Sequence, residues 1–238
     1  MLREKETRKL SEHTSRDTDL KTEKLATVIQ LRDPNQAPKD RSEIHSGGYA
    51  SEAEFVEGLR RQETQAFNEL CRRHLRRVRI VLFRVLGNDP ELSDLVQEVI
   101  IRAIGSAPAF RGEASQLGAW LAKITVFTAR DTIRKRRVFH RFFHFMEDDA
   151  DAFPAKLTSV EQREKIRRLY RVLDKLPTDE RIAFTLRYVD EMKVDEVADV
   201  CKVSPSTAKR WTRKGKERFE RLAERDPELR TLLTGGES

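Results

Sequence analysis

Twice between Leu92 and Arg137 apolar residues return at the spacing of an α-helix, and this repeated period restricts the fold more than any other feature. In the first run Leu92, Val96, Val99 or Ile100, and Ala103 mark one face, while Asp94, Gln97, Glu98 and Arg102 lie off it. One face is core and the other is free. After Pro108 come a short loop, Phe110-Arg111-Gly112-Glu113, and a second helix starting near Ser115, with Leu117, Leu121 and Ile124 facing inward. On that helix Lys123, Arg130, Arg134 and Arg137 fall at helical steps and form one basic stripe, with Phe127 set among them. A cationic stripe that holds an aromatic suits nucleic acid.

The residues before this stretch extend the same all-helical unit back to about Ser51. Ser51-Glu52-Ala53-Glu54 has the form of a capping box, and Phe55, Leu59, Ala66, Phe67, Leu70, Leu75, Val78, Leu82 and Val85 supply inward faces for two helices. Gly87, followed by Asn88-Asp89-Pro90, stops the second of them. Residues 1–50 are rich in charged and hydroxyl side chains, and such a segment buries too little apolar surface to offset roughly 1–2 kcal/mol of backbone ordering per residue. It reads as a disordered extension. Its brief apolar patch, Leu25 to Leu31, has the alternative of a docking strand or helix for a partner.

Beyond Arg137 the period fades. Residues 138–164 are aromatic first, then acidic at Glu147, Asp148, Asp149 and Asp151, and read as a flexible linker. Phe139 and Phe142 are expected to pack the end of the preceding helix. A second helical domain follows over residues 165–223, and residues 224–238 read as a C-terminal tail. Ile182, Leu186 and Val189 face inward on one helix of that domain, and Val194, Val197 and Cys201 on a short one after it. Ser204-Pro205 then places an N-cap and a first-turn proline at the start of a third. Ala208, Thr212, Gly215 and Phe219 take its core side, which leaves Ser206, Lys209, Arg210, Arg213 and Lys214 facing out. That is the composition of a recognition helix in a major groove.

Charge agrees with a polyanionic partner: Lys and Arg number 47 against 40 Asp and Glu, for a formal net charge of +7. Cys71 and Cys201 lie far apart within helical patterns, which fits a reduced, cytoplasmic protein with buried thiols. No apolar run is long enough to insert into a membrane. His140, His144 and Asp148 could share a helix face, but no further close-spaced ligand follows, and no metal or cofactor is expected. Ser206-x-x-Lys209 has a catalytic spacing inside the recognition helix and is read as chance, so no enzyme is expected.

The stretch from Asp94 resembles region 2 of bacterial RNA polymerase sigma factors of the sigma-70 family, extracytoplasmic-function (ECF) type. The carriers are Asp94, Leu95, Gln97, Glu98 and Arg102, then Phe110, Arg111, Gly112, Glu113, Trp120 and Leu121, with a loop one residue longer than the commonest version. The second domain resembles sigma region 4 through Leu176, Pro177, Arg181, Leu186 to Val189, Glu196 to Ala198, Val203, Ser204, Thr207 and Lys209. Lys202 stands where the family has a turn glycine, and Trp211 where a basic residue is typical; Trp211 either packs between helices or lies on a sugar-phosphate.

The resemblance implies a promoter-specificity subunit with two small helical domains and no chemistry of its own. Its partners would be core RNA polymerase, promoter DNA and an anti-sigma factor. Asp94, Gln97 and Glu98 would meet the clamp of the largest polymerase subunit. Phe110, Arg111, Glu113, Ser115, Gln116, Lys123, Arg130 and Arg134 would read and hold the opened -10 element. Ser206, Thr207, Lys209, Arg210, Arg213 and Lys214 would read the -35 element. The alternative, an autonomous helix-turn-helix regulator, accounts for Ser204 to Phe219 but gives Asp94 to Arg137 no role.

Overall fold

The structure, a computed structural model, describes residues 49–142 apart from position 88, and residues 160–234. The expectations for residues 1–48, for the middle of the linker and for the side chains of Phe139, His140, Phe142, His144 and Asp148 lie outside the described residues. Among those described there are nine α-helices and no strand. The first four are α1 (Glu52–Arg60), α2 (Thr64–Leu86), α3 (Leu92–Ser106) and α4 (Leu117–Phe142). Two single 3₁₀ turns, Ala107–Ala109 and Ala114–Gln116, join α3 to α4.

Each boundary has a local cause. Ser51 Oγ accepts from the Glu54 amide at 3.1 Å, while the Glu54 carboxylate reaches one residue beyond the usual capping box to the Ala50 amide, at 2.7 Å. Gly87 ends α2 with φ of 87°, and a Cβ there would stand 2.8 Å from the Tyr170 ring, so both backbone and space demand glycine. Asp89 then ties the start of α3 to the far end of α4: its carboxylate accepts from the Glu91 amide at 2.9 Å and from Arg136 at 2.8 Å.

The core of this unit is Phe55, Leu59, Leu70, Leu82, Leu117 and Leu121, all fully enclosed. Of the two alternatives on α3 it is Val99 that is buried, with Ile100 only partly so. Leu75, expected inward, is 40% exposed, because it lies well round the helix from the buried row of Phe67, Leu70, Val78 and Val81. On α4 the side opposite the basic stripe carries Thr125, Thr128 and Thr132, whose hydroxyls donate to carbonyls one turn back at 2.8, 3.0 and 3.0 Å. Their polar groups are satisfied within the helix. They can therefore be buried at no cost in unpaired donors.

The second unit comprises α5 (Val160–Asp174), α6 (Thr178–Tyr188), α7 (Val194–Cys201), α8 (Pro205–Ala223) and α9 (Pro227–Thr234). Phe184 and Phe219 stack at 4.8 Å at its centre. The turn between α7 and α8 puts Lys202 in the left-handed region, φ 55° and ψ 50°, the conformation that usually selects glycine. Ser204 caps α8 through the Thr207 amide at 3.3 Å, with Pro205 in the first turn. The segment read as a tail contains α9. Asp226 Oδ1 caps it by accepting from Glu228 and Leu229 amides at 3.1 and 3.2 Å, and Leu229 is buried against the unit. Helix α4 also continues five residues past Arg137, into the segment read as linker.

The two units pack on each other. Val126, Ala129 and Ile133 of α4 share one apolar cluster with Ile182, Leu186, Val197, Cys201 and Ala208. Burial pushes the Cys201 thiol up to about 11, which keeps it protonated and inert at neutral pH. No helix among the described residues is long and apolar enough to cross a membrane.

One buried charge predicts an acid-dependent stability. Glu69, 4% exposed, accepts from Arg72 at 2.6 Å and from Arg73 at 2.5 Å, and these guanidinium groups hold its carboxyl down at about 2. A carboxyl held below its ordinary value of 4.5 contributes its full stabilisation above that value, and loses it as pH falls through about 2. Glu69→Gln should lower stability at neutral pH and flatten the pH dependence of urea unfolding across that interval. An unchanged acid limb in the variant would count against the assignment.

Candidate nucleic-acid interface

Helix α3 presents the polar face read from its period. Asp94 and Gln97 are exposed, and Glu98 is half-buried because it binds Arg102 at 2.7 Å. Arg102 also reaches Asp131 of α4 at 3.2 Å and lies 5.5 Å over the Phe127 ring. Ile101 and Phe127 are 62% and 53% exposed beside these charges. Sequence reasoning passed over Ile101. Its signal was an apolar side chain off the buried stripe of α3.

The loop from Phe110 to Gln116 is held rigidly. Arg60 of α1 donates to the carbonyls of Phe110 and Gly112 at 2.9 and 3.1 Å. Phe110 is 8% exposed and packs on Trp120, ring centres 5.1 Å apart. In this structure it supports the loop. Gly112 is required for space, because a Cβ would stand 2.7 Å from Phe110 Cζ. Glu113 and Ser115 are exposed, as is Arg111, which donates to the Pro108 carbonyl at 2.6 Å. Gln116 is exposed too, and its Oε1 accepts from the Glu113 amide at 3.2 Å.

The basic stripe of α4 is formed as its spacing required, but it faces the second unit. Lys123 Nζ lies 2.7 Å from Asp199 of α7. Arg130 and Arg134, one helical turn apart, converge on Asp179 of α6 at 3.0 and 3.3 Å. Arg137 donates to Thr178 Oγ1 and to the Asp174 carbonyl, both at 3.1 Å. None of these acidic partners was singled out from the sequence, where Asp179 reads only as a first-turn acid of its helix. Pairs of this exposure are each worth about 0–1 kcal/mol and weaken with salt.

On α8 the outward row is as expected: Ser206, Lys209, Arg210, Arg213 and Lys214 are exposed, Thr207 is partly buried, and Arg213 pairs with Glu217 at 2.7 Å. Trp211 takes the packing alternative. It is half-buried against the shared apolar cluster, with the Arg130 guanidinium 5.9 Å from its ring centre.

The comparisons divide the chain as its geometry does. Residues 70–138 match the sigma-70 region 2 family and residues 166–219 the sigma-70 region 4 family. The ECF RNA polymerase sigma factor SigX of Bacillus subtilis is 30% identical over 141 residues, which span 56% of this chain and 71% of SigX. The chain belongs to the ECF sigma factors of the sigma-70 family. The ECF sigma-E factor of Escherichia coli is 28% identical over 162 residues, 61% of this chain and 80% of sigma-E. In fold, this sigma factor is similar to CnrH, whose structure is known in complex with the cytosolic domain of CnrY. The TM-score is 0.52 at 20% identity, over 74% of this chain and 98% of CnrH. Sigma factors of this family are non-catalytic initiation factors for promoter-specific transcription by RNA polymerase.

Proposed function

We propose that the first helical unit docks on the clamp of core RNA polymerase through Asp94, Gln97 and Glu98 and opens the -10 duplex, while α8 reads the -35 element. The observation that carries this reading is a division of labour in exposed chemistry. An acidic-polar face on α3, a rigid loop with exposed side chains and a basic recognition helix stand on separate elements. Arg210 and Arg213 are assigned to base edges, Lys209 and Lys214 to edges or phosphates, and Ser206 and Thr207 to the first turn in the groove. In the loop, Arg111, Glu113, Ser115 and Gln116 are assigned to an unstacked base of the -10 strand, with Lys123, Arg130 and Arg134 holding its backbone. The site of action is the cytoplasm. A protein that sequesters this sigma factor completes the reading, and the complex of CnrH with CnrY supports it.

The loop gives the most direct test. Replacing Glu113, Ser115 and Gln116 together by Ala should spare binding to core polymerase and to -35 duplex, while reducing permanganate-detected opening at the -10 by about tenfold or more. This corresponds to one or two lost base-edge contacts. Normal opening by that variant would remove the loop from base recognition.

A further inference from the structure

Among the described residues, one cation on the outward row of α8 has an acidic partner and three do not. Arg213 Nη1 donates to Glu217 Oε1 at 2.7 Å, one turn further along the same face, whereas Lys209, Arg210 and Lys214 have no carboxylate within reach. Stability does not account for the pair. Both side chains are exposed, 63% and 58%, such pairs add little to a fold, and arginine before glutamate is the weaker order on a helix. Affinity does not account for it either, since a carboxylate on the face that meets a polyanion repels it.

The turn that carries the pair is firmly seated. On the opposite side of α8, between the two residues in sequence, Gly215 lies so close to α6 that a Cβ would stand 2.6 Å from the Glu180 carbonyl. Arg218 Nε donates to the Glu180 carboxylate at 2.9 Å, and Phe219 stacks on Phe184. The backbone under Glu217 is therefore fixed, and its carboxylate restrains the guanidinium it holds. A guanidinium is a planar fork of five donors. With Nη1 committed to Glu217, Nη2 and Nε remain for the two acceptors of a guanine edge, N7 and O6. A fork restrained in this way has given up rotamers before DNA arrives, which favours one aimed contact over a loose one.

We infer that Glu217 is a positioning residue for promoter specificity: it aims Arg213 at a base edge and, by its charge, weakens the hold of α8 on duplex of any other sequence. The inference rests on the assignment of Arg213 to a base edge and adds what directs that side chain. Specificity is a difference of affinities, and Glu217 acts on both members of the difference. Lys209 and Lys214, untethered, suit phosphates of any sequence.

The test uses holoenzyme assembled from core polymerase and the full chain. Its probes are a duplex selected by the wild-type holoenzyme from a pool randomised in the -35 region, the single-base variants of that duplex, and a shuffled duplex of the same composition. Glu217→Gln should bind the shuffled duplex about threefold more tightly at low salt, the scale of one surface charge interaction. It should also lose about tenfold of discrimination at the base pair that Arg213→Ala affects, the scale of one base-edge contact. Discrimination at the base pair that Arg210→Ala affects should stay as in wild type. In an Arg213→Ala background the glutamate change should alter no discrimination at all. If Glu217→Gln tightens every duplex equally and leaves the pattern of discrimination unchanged, the carboxylate acts by repulsion alone and the positioning role is refuted. Weaker binding to every duplex together with a lowered urea midpoint would assign the pair to the fold and refute it as well. If Arg213→Ala leaves discrimination intact at every base pair while Arg210→Ala removes it at one, the assignment of Arg213 falls, and the inference with it, although reading of the -35 by α8 stands.

Discussion

Asp94→Ala combined with Glu98→Ala is expected to weaken binding to core RNA polymerase by roughly thirtyfold or more, the scale of a central contact worth about 2 kcal/mol. The two carboxylates project from the part of α3 that its own core does not use. Ile101, 62% exposed, gives that face the apolar centre a protein interface needs. Glu98 has a second duty, since it pairs with Arg102, and its loss would release a guanidinium that now bridges α3 and α4. A surface pair of this kind contributes at most about 1 kcal/mol to the fold, so the variant should remain folded. Thermal unfolding followed by circular dichroism would confirm that, and titration against core polymerase would measure the affinity. Wild-type affinity in a folded double variant would end the docking assignment.

Gly215→Val should unfold or badly loosen the second unit, with a loss of about 3 kcal/mol. In an isolated helix the sign would be the reverse for alanine, because glycine in a helix interior is about 1 kcal/mol worse. Here α8 approaches α6 so closely that a Cβ at position 215 would stand 2.6 Å from the Glu180 carbonyl and 3.1 Å from Phe184 Cβ. A backbone carbonyl cannot swing aside as a side chain does. The helices would have to separate, and the stacked pair Phe184 and Phe219 would lose its contact. Urea unfolding should show the lowered midpoint, and binding to -35 duplex should fall in proportion to the unfolded fraction, with Gly215→Ala intermediate. A valine variant as stable as wild type would show that the helices have more freedom than their spacing allows.

Much of this was legible because it is local. Ser51, Gly87, Ser204 and Pro205 act on their nearest neighbours, and the buried faces of α3 and α8 follow from period alone. The tail helix α9 was missed although Asp226-Pro227 is an adequate start signal, because a short polar segment after a long helix gave no period to extend. The packing of Phe110 was not legible for a different reason. A motif residue next to a functional loop can serve by packing, and only the Trp120 ring beside it shows that it does. The contact between the units was not legible at all, since the meeting of Asp179 with Arg130 and Arg134 joins residues that no spacing relates.

The C-terminal end of α2 is finished by the other half of the chain. The Tyr170 hydroxyl donates to the Phe83 carbonyl at 3.0 Å, and Arg181 Nε to the Val85 carbonyl at 2.8 Å. The Phe83 carbonyl also accepts from the Gly87 amide at the helix end, whereas the Val85 carbonyl, in the last turn, depends on the donor from outside. Whenever the halves part, water replaces these outside donors, and the last turn of α2 loses its external clamp just where the chain bends at Gly87 toward α3. Fraying there would relax the very joint that orients α3, so the state of the second unit would be felt at the face proposed for docking.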